Sequence, residues 1–287
     1  MLSFTRGFPL VVALAMSSFS IYIQLKYFKH IGNDTLDRDR YHNSVIEAVV
    51  DARSHDCSAY DFVFIVATGR SGSTTLMTFL NSIPGVHISG ENDGQTKRLR
   101  WIYESMRNIG QGRRRIVAWA NTYDMSEIKQ DMRTMLIHMI NPPAGSDTIG
   151  FKEIRFHSKD LDFIKMLFPC AKFILSIREN VSKQAKSAFH KKSEYNSTTV
   201  KATLKKENAI LSSLARKHPD SMYLVKLEDF SVQEFDNMLQ FLGRRECKTL
   251  RVPKLNMKGE YTRIERLKKN LSSGVVKCKS NATKSSS

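Results

Sequence analysis

"DFVFIVATGRSGSTTLMTFL", residues 61–80, is the stretch whose reading decides the fold. Asp61 to Thr68 form a continuous apolar run, the pattern of a strand buried on both faces. "TTLMTFLNSI" reads as a helix, stopped by Pro84 and Gly85. Between them lies Gly69-Arg70-Ser71-Gly72-Ser73-Thr74. Gly69 and Gly72 permit tight turns that point backbone N–H groups inward. The first helical turn adds unsatisfied N–H groups and the positive end of the helix dipole. Ser71, Ser73, Thr74 and Thr75 bring hydroxyls. The whole is a cradle for a tetrahedral anion; a polar loop that only caps a helix through Ser or Thr is the plainer alternative.

Working outward, strand-like and helix-like segments alternate. "VHISG" is a short second strand. "QTKRLRWIYESMRNI" and "MSEIKQDMRTMLIHMI" read as helices, the latter ended by Pro142 and Pro143. "TIGFKEIRF" is strand-like, "KDLDFIKMLF" helical, "AKFILSIR" a strongly buried strand and "NVSKQAKSAFHKK" helical. "SMYLVKLEDF" and "SVQEFDNMLQFLG" close the series as strand and helix, with a glycine stop. Such alternation implies a parallel sheet covered by helices on both faces. No internal linker divides it, so one domain is expected from 58 to 268.

The loop is not that of a nucleoside triphosphatase. A Walker A loop is G-x-x-x-x-G-K-[ST]; here Gly69 to Gly72 is shorter, no lysine follows, and the cation is Arg70 within the loop. Triphosphate hydrolysis also needs Mg²⁺ ligands, yet "AKFILSIR" ends in Arg178 rather than an acid. The site reads as cation-rich, with no metal required. Past the second strand, "VHISGENDG" places Glu91 in a glycine-rich turn at the carboxyl end of the sheet, where ligands bind. Glu91 is the expected general base, with Asp93 as substitute; His87, inside the strand, reads as a packed core residue. Lys152 in "GFKEIRF" is placed to reach the transferred group or the acceptor, or to form a structural ion pair with Glu153 or Glu91. Lys97, Arg98 and Arg100 either hold an anionic acceptor or form a solvated helix face.

Composition sets the wider frame. The 287 residues are 41% hydrophobic and 25% charged, ordinary for a globular protein, but the formal charge of +17 calls for an anionic partner. From Arg244 onward there are thirteen Lys or Arg against three acids. Residues 269–287, rich in Ser and Lys, read as a disordered tail. Cys57, Cys170, Cys247 and Cys278 fit no metal spacing. They allow up to two disulfides without fixing the pairing, and Cys170, beside a buried strand, reads as a free core thiol.

Phe8 to Leu25 contains no charged residue and is just long enough to span a bilayer. It is read as a transmembrane signal anchor, with residues 1–7 as a short cytoplasmic tail and 26–57 as a stem; a cleaved signal peptide is the rival. Lys26 and Lys29 run against the positive-inside expectation for that orientation. N-glycosylation sequons occur at Asn33, Asn180, Asn196, Asn270 and Asn281.

With these motifs in order, the sequence resembles the sulfotransferase family, especially its membrane-anchored Golgi carbohydrate members. Arg70-Ser71-Gly72-Ser73 is similar to the loop that in that family holds the 5′-phosphosulfate of 3′-phosphoadenosine 5′-phosphosulfate (PAPS). "AKFILSIRENVSKQAKS" resembles the second motif, which grips the 3′-phosphate, and "MYLVKLEDF" resembles a recurrent strand end. The likeness touches most of residues 60 to 270. It implies a P-loop-like α/β fold and PAPS as sulfuryl donor. Arg70, Ser71, Gly72, Ser73 and Thr74 are then expected at the 5′ side, and Arg178 and Ser187 at the 3′-phosphate. Lys258 and Gly259, in "LNMKGEYTRIERLKK", are implied as further cofactor contacts. The pattern departs from cytosolic members: no proline follows Arg178, and Ser187 stands nine residues on, so Ser182 or Lys186 is an alternative contact.

The expectation is therefore a single-pass type II Golgi protein with a lumenal catalytic domain, sulfating a glycan or other hydroxylated, even anionic, acceptor, with no nucleic acid as partner. A Golgi glycosyltransferase is the first alternative, since Asp160-Leu161-Asp162 matches a D-x-D metal pattern, although these acids open a helix rather than end a strand. A P-loop nucleotide-binding protein and a basic nucleic-acid-binding protein are the others.

Overall fold

Alternation along β1 (Asp61–Ala67) divides the core in two. Phe62, Phe64 and Val66 join one apolar cluster; Val63, Ile65 and Ala67 join the other. The first is roofed by α3 (Met125–Ile140) and α4 (Ser158–Leu167), the second by α1 (Ser73–Leu80) and α7 (Val232–Leu242). A strand with apolar residues at every position after Asp61 therefore lies between two helical layers, as its composition requires. Each fully buried phenylalanine, Phe64 and Phe173 among them, contributes about 2–3 kcal/mol by leaving water.

In the computed structural model, residues 60–110, 123–154, 156, 158–186, 197–253 and 274–279 are described. The five-stranded sheet adds β2 (Val86–Ser89), β3 (Thr148–Glu153), β4 (Lys172–Ile177) and β5 (Met222–Lys226). Its order is β2-β3-β1-β4-β5, and every pairing is parallel. All five strand ends thus open on one edge, with the β1 loop at its middle. The approach of β1 to β3 is close enough to demand a glycine: a Cβ on Gly150 would lie 1.7 Å from the Val63 carbonyl oxygen.

Two further helices each follow a strand of the sheet. α2 (Gln95–Gly110) follows β2, and α5 (Val181–Ala185) follows β4. After them comes α6 (Ser197–Lys217). The sequence reading assigns nothing to α6; its buried Leu204 and Leu211 reveal the stripe it turns inward.

Two expectations need correction. Residues 269–287 are not disordered throughout: β7 (Val276–Cys278) pairs antiparallel with β6 (Cys247–Thr249), and Val275 is buried in the second cluster. The pair is clasped by a Cys247–Cys278 disulfide, which holds it against the core despite its Ser- and Lys-rich surroundings. Cys170 is disulfide-bonded rather than free, its partner lying outside the described residues. No helix among the described residues is long and apolar enough to cross a membrane; segment 8–25 is not among them.

Candidate active site

The loop after β1 turns on two left-handed residues, Arg70 at φ 67° and Gly72 at φ 91°. Gly72 must be glycine twice over, because a Cβ there would also lie 2.8 Å from Leu227 Cδ1 and 2.9 Å from the Phe230 ring. It serves as N-cap of α1 with no side chain capping the helix. The first intrahelical bond runs from the Leu76 N–H to the Gly72 carbonyl, so the N–H groups of Ser73, Thr74 and Thr75 have no intrahelical acceptor. Three other helices close the same opening with a side chain: Asp124 for α3, Asn180 for α5 and Ser231 for α7. The plainer reading of the loop, a Ser or Thr cap, is thereby set aside. Arg70 has no ion-pair partner among the described residues.

Ser71 takes a different place from the other hydroxyls. It is fully buried, its N–H donates to the Thr68 carbonyl, and the Ser176 hydroxyl of β4 donates to its carbonyl (2.8 Å) and lies 3.1 Å from its hydroxyl. Its side chain anchors the loop from beneath rather than facing an anion. Ser73 is buried at the helix start and Thr74 half-buried.

Arg178 leaves the end of β4, the strand beside β1. Its guanidinium Nε is buried without a hydrogen-bond partner among the described residues and stands 3.9 Å from Glu228, an ion pair too long to be a hydrogen bond. Glu228 is occupied otherwise: it accepts the N–H groups of Glu179 (3.0 Å) and Asn180 (3.1 Å). Burial disfavours its charge, but these N–H groups and Arg178 outweigh that and hold its carboxyl below the usual range. The turn Leu227–Asp229 after β5 thus serves both loops, backing Gly72 with Leu227 and organising the Arg178 turn with Glu228.

On the other side of β1, the buried Lys152 Nζ donates to Glu91 Oε1 at 2.7 Å. The ion-pair alternative for Lys152 holds, and its partner is Glu91 at the end of β2 rather than Glu153. Glu91 is one-third exposed, so its carboxylate meets both the buried cation and solvent. His87 is half-buried in β2.

Arg100 does not present itself to an acceptor: it is buried, donating to Asp160 (2.7 Å) and Glu104 (2.8 Å). Burial works against its charge, and the two carboxylates more than offset this and raise its pKa. Asp160 is buried in that pair while Asp162 is exposed two residues on, so the D-x-D acids serve separate environments. Lys97 and Arg98 are exposed on α2. Ser187, Lys258 and Gly259 lie outside the described residues.

Sequence reasoning misses Asn208 and Gln184. Asn208 accepts from Thr68 Oγ1 (3.1 Å) and donates to the Arg178 carbonyl (2.8 Å). The fully buried Gln184 donates to Thr68 Oγ1 (3.0 Å) and the Gly69 carbonyl (2.6 Å). The available signal was an amide set among the leucines of a helix stripe, Leu204-x₃-Asn208-x₂-Leu211.

An unfilled helix N-terminus, a loop arginine without a partner and a buried, unbonded Arg178 Nε fit a ligand carrying two separate anionic groups. The model of the family described as "Sulfotransferase family" matches residues 62–244, more than half of the chain. Among solved structures, the chain is similar to the sulfotransferase domain of the Synechococcus PCC 7002 olefin synthase. The identity is 18%, the match covers 64% of this chain and 74% of that one, and the TM-score is 0.44. It is also similar to an unliganded sugar kinase from Janibacter sp. HTCC2649, with 14% identity, coverage of 65% and 96%, and a TM-score of 0.36. No curated protein matches the chain.

Proposed function

This chain belongs to the sulfotransferase family, and on that premise we propose that it moves a sulfuryl group from PAPS to a hydroxyl of a carbohydrate acceptor within the secretory pathway. The observation that carries the reading is the uncapped N-terminus of α1, flanked by Arg70 and lying one strand from Arg178. When bound, PAPS supplies the sulfuryl group and a leaving adenosine 3′,5′-bisphosphate. The α1 N–H groups, Arg70 and Thr74 hold the 5′ anion and supply donors for the charge that develops there. Arg178 takes the 3′-phosphate, which gives its buried Nε the partner it lacks. Glu91 accepts the proton of the acceptor hydroxyl, and Lys152 keeps that carboxylate at the sheet's edge.

Two observations support a lumenal setting: disulfides at Cys247–Cys278 and at Cys170, which persist in oxidising compartments, and the uncharged segment Phe8 to Leu25. These support our reading of a Golgi-anchored, type II arrangement with a glycan as acceptor.

Calorimetric titration of the purified protein with adenosine 3′,5′-bisphosphate tests the reading. Micromolar affinity is expected, with Arg70→Ala weakening it at least tenfold. Unchanged binding by Arg70→Ala would remove the loop from the site.

A further inference from the structure

The two anion-binding loops are not independent. Thr68, the last residue before the β1 loop, is almost wholly buried, and its hydroxyl is the hub of a polar network. It donates to Asn208 Oδ1, and Asn208 Nδ2 donates in turn to the carbonyl of Arg178 itself. It also accepts from Gln184 Nε2, which reaches on to the Gly69 carbonyl. Gln184 is carried by α5, the helix that the Arg178 turn feeds. The β1 loop is therefore bound to the Arg178 turn twice: through Asn208 from α6 and through Gln184 from α5.

Nothing about packing alone asks for these amides. Asn208 occupies a position in the inward stripe of α6 between Leu204 and Leu211, where a leucine would continue the pattern. A buried amide is unfavourable unless its groups are bonded, and both functional groups of Asn208 are bonded to residues of the two loops. Gln184 Oε1 is buried with no hydrogen-bond partner among the described residues, so that side chain is held in place by what its nitrogen connects.

We infer that Asn208, with Gln184, is a positioning residue. It fixes the separation between the 5′ loop and Arg178, and so sets the preference for a nucleotide bearing phosphates at both the 5′ and 3′ positions over one bearing a single phosphate. This rests on the donor reading given above. Without the bridge, each loop still binds an anion, but the two no longer sit at the spacing one ligand spans.

The test compares dissociation constants for adenosine 3′,5′-bisphosphate and adenosine 5′-monophosphate in the wild type, Asn208→Leu and Asn208→Asp, with thermal midpoints recorded alongside. Asn208→Asp is nearly isosteric, keeps an acceptor for Thr68 and loses the donor to Arg178; it carries the readout if Asn208→Leu does not fold. Both variants are expected to lose about tenfold in bisphosphate affinity and less than twofold in monophosphate affinity. A purely structural role lowers the midpoint and weakens both ligands together; a preserved ratio overturns the inference. A wild type that does not prefer the bisphosphate instead sinks the donor reading, and this inference with it.

Discussion

Glu91 shows how much a single side chain's role depends on its neighbour. As a turn residue after β2 it is a solvated carboxylate; with Lys152 buried behind it at 2.7 Å, it is a carboxylate held in one place at the edge where the anion loops open. A base must be positioned before its basicity matters. Glu91→Gln keeps the shape and a hydrogen-bonding group but cannot take a proton. Sulfuryl transfer is expected to fall about 10²- to 10⁴-fold while adenosine bisphosphate binding stays within twofold, measured by product assay and titration on the same preparation. Retained turnover would move the base elsewhere. The placement of Arg70, Arg178 and Glu91 just past strand ends was legible because hydropathy marks those boundaries. The inward turn of Ser71 was not, because it depends on Ser176 lying beneath, 105 residues away.

Among elements, α1 differs from α3, α5 and α7 in what its N-terminus lacks. Capping contributes about 1 kcal/mol to a helix, and α1 forgoes it in a loop whose glycine N-cap has no side chain to give. The loop resembles a capping motif in sequence without acting as one because the N-cap position falls on Gly72 rather than on a Ser or Thr. β3 makes a second point. Gly150 reads as an unremarkable strand glycine, yet its hydrogen faces the Val63 carbonyl. Gly150→Ala would force β1 and β3 apart along the strand that carries Lys152. A loss of about 4 kcal/mol or more in urea unfolding is expected; a stability within 1 kcal/mol of wild type would show that the sheet relaxes. α6 escaped the sequence reading because its inward stripe is interrupted by Asn208, the residue that ties it to the site.

At the scale of the molecule, the β6–β7 pair and its disulfide bring a chain segment from beyond residue 270 back onto the α7 side of the core. Lys248 and Lys277 stand opposite each other in that pair, an unfavourable juxtaposition that the crosslink overrides. Closing a loop across 31 residues contributes about 3–4 kcal/mol in the chain-entropy account. The Cys247→Ser, Cys278→Ser double variant should lose stability of that order in chemical denaturation; an unchanged midpoint would mean that the ribbon unfolds without consequence for the core.

The sequence by itself determined the local grammar of this protein. Apolar runs set the strands, periodicity set most helices, and the glycines set a tight polar loop around Arg70, because each is a matter of neighbouring residues and backbone freedom. Only the tertiary structure decided the strand order that places Arg178 at the end of the strand paired with β1, the partner of Lys152, the burial of Arg100 against Asp160, and the Thr68–Asn208–Arg178 bridge. Each of these joins side chains tens of residues apart, whose energies depend on distance and burial, and neither quantity exists until the chain has folded.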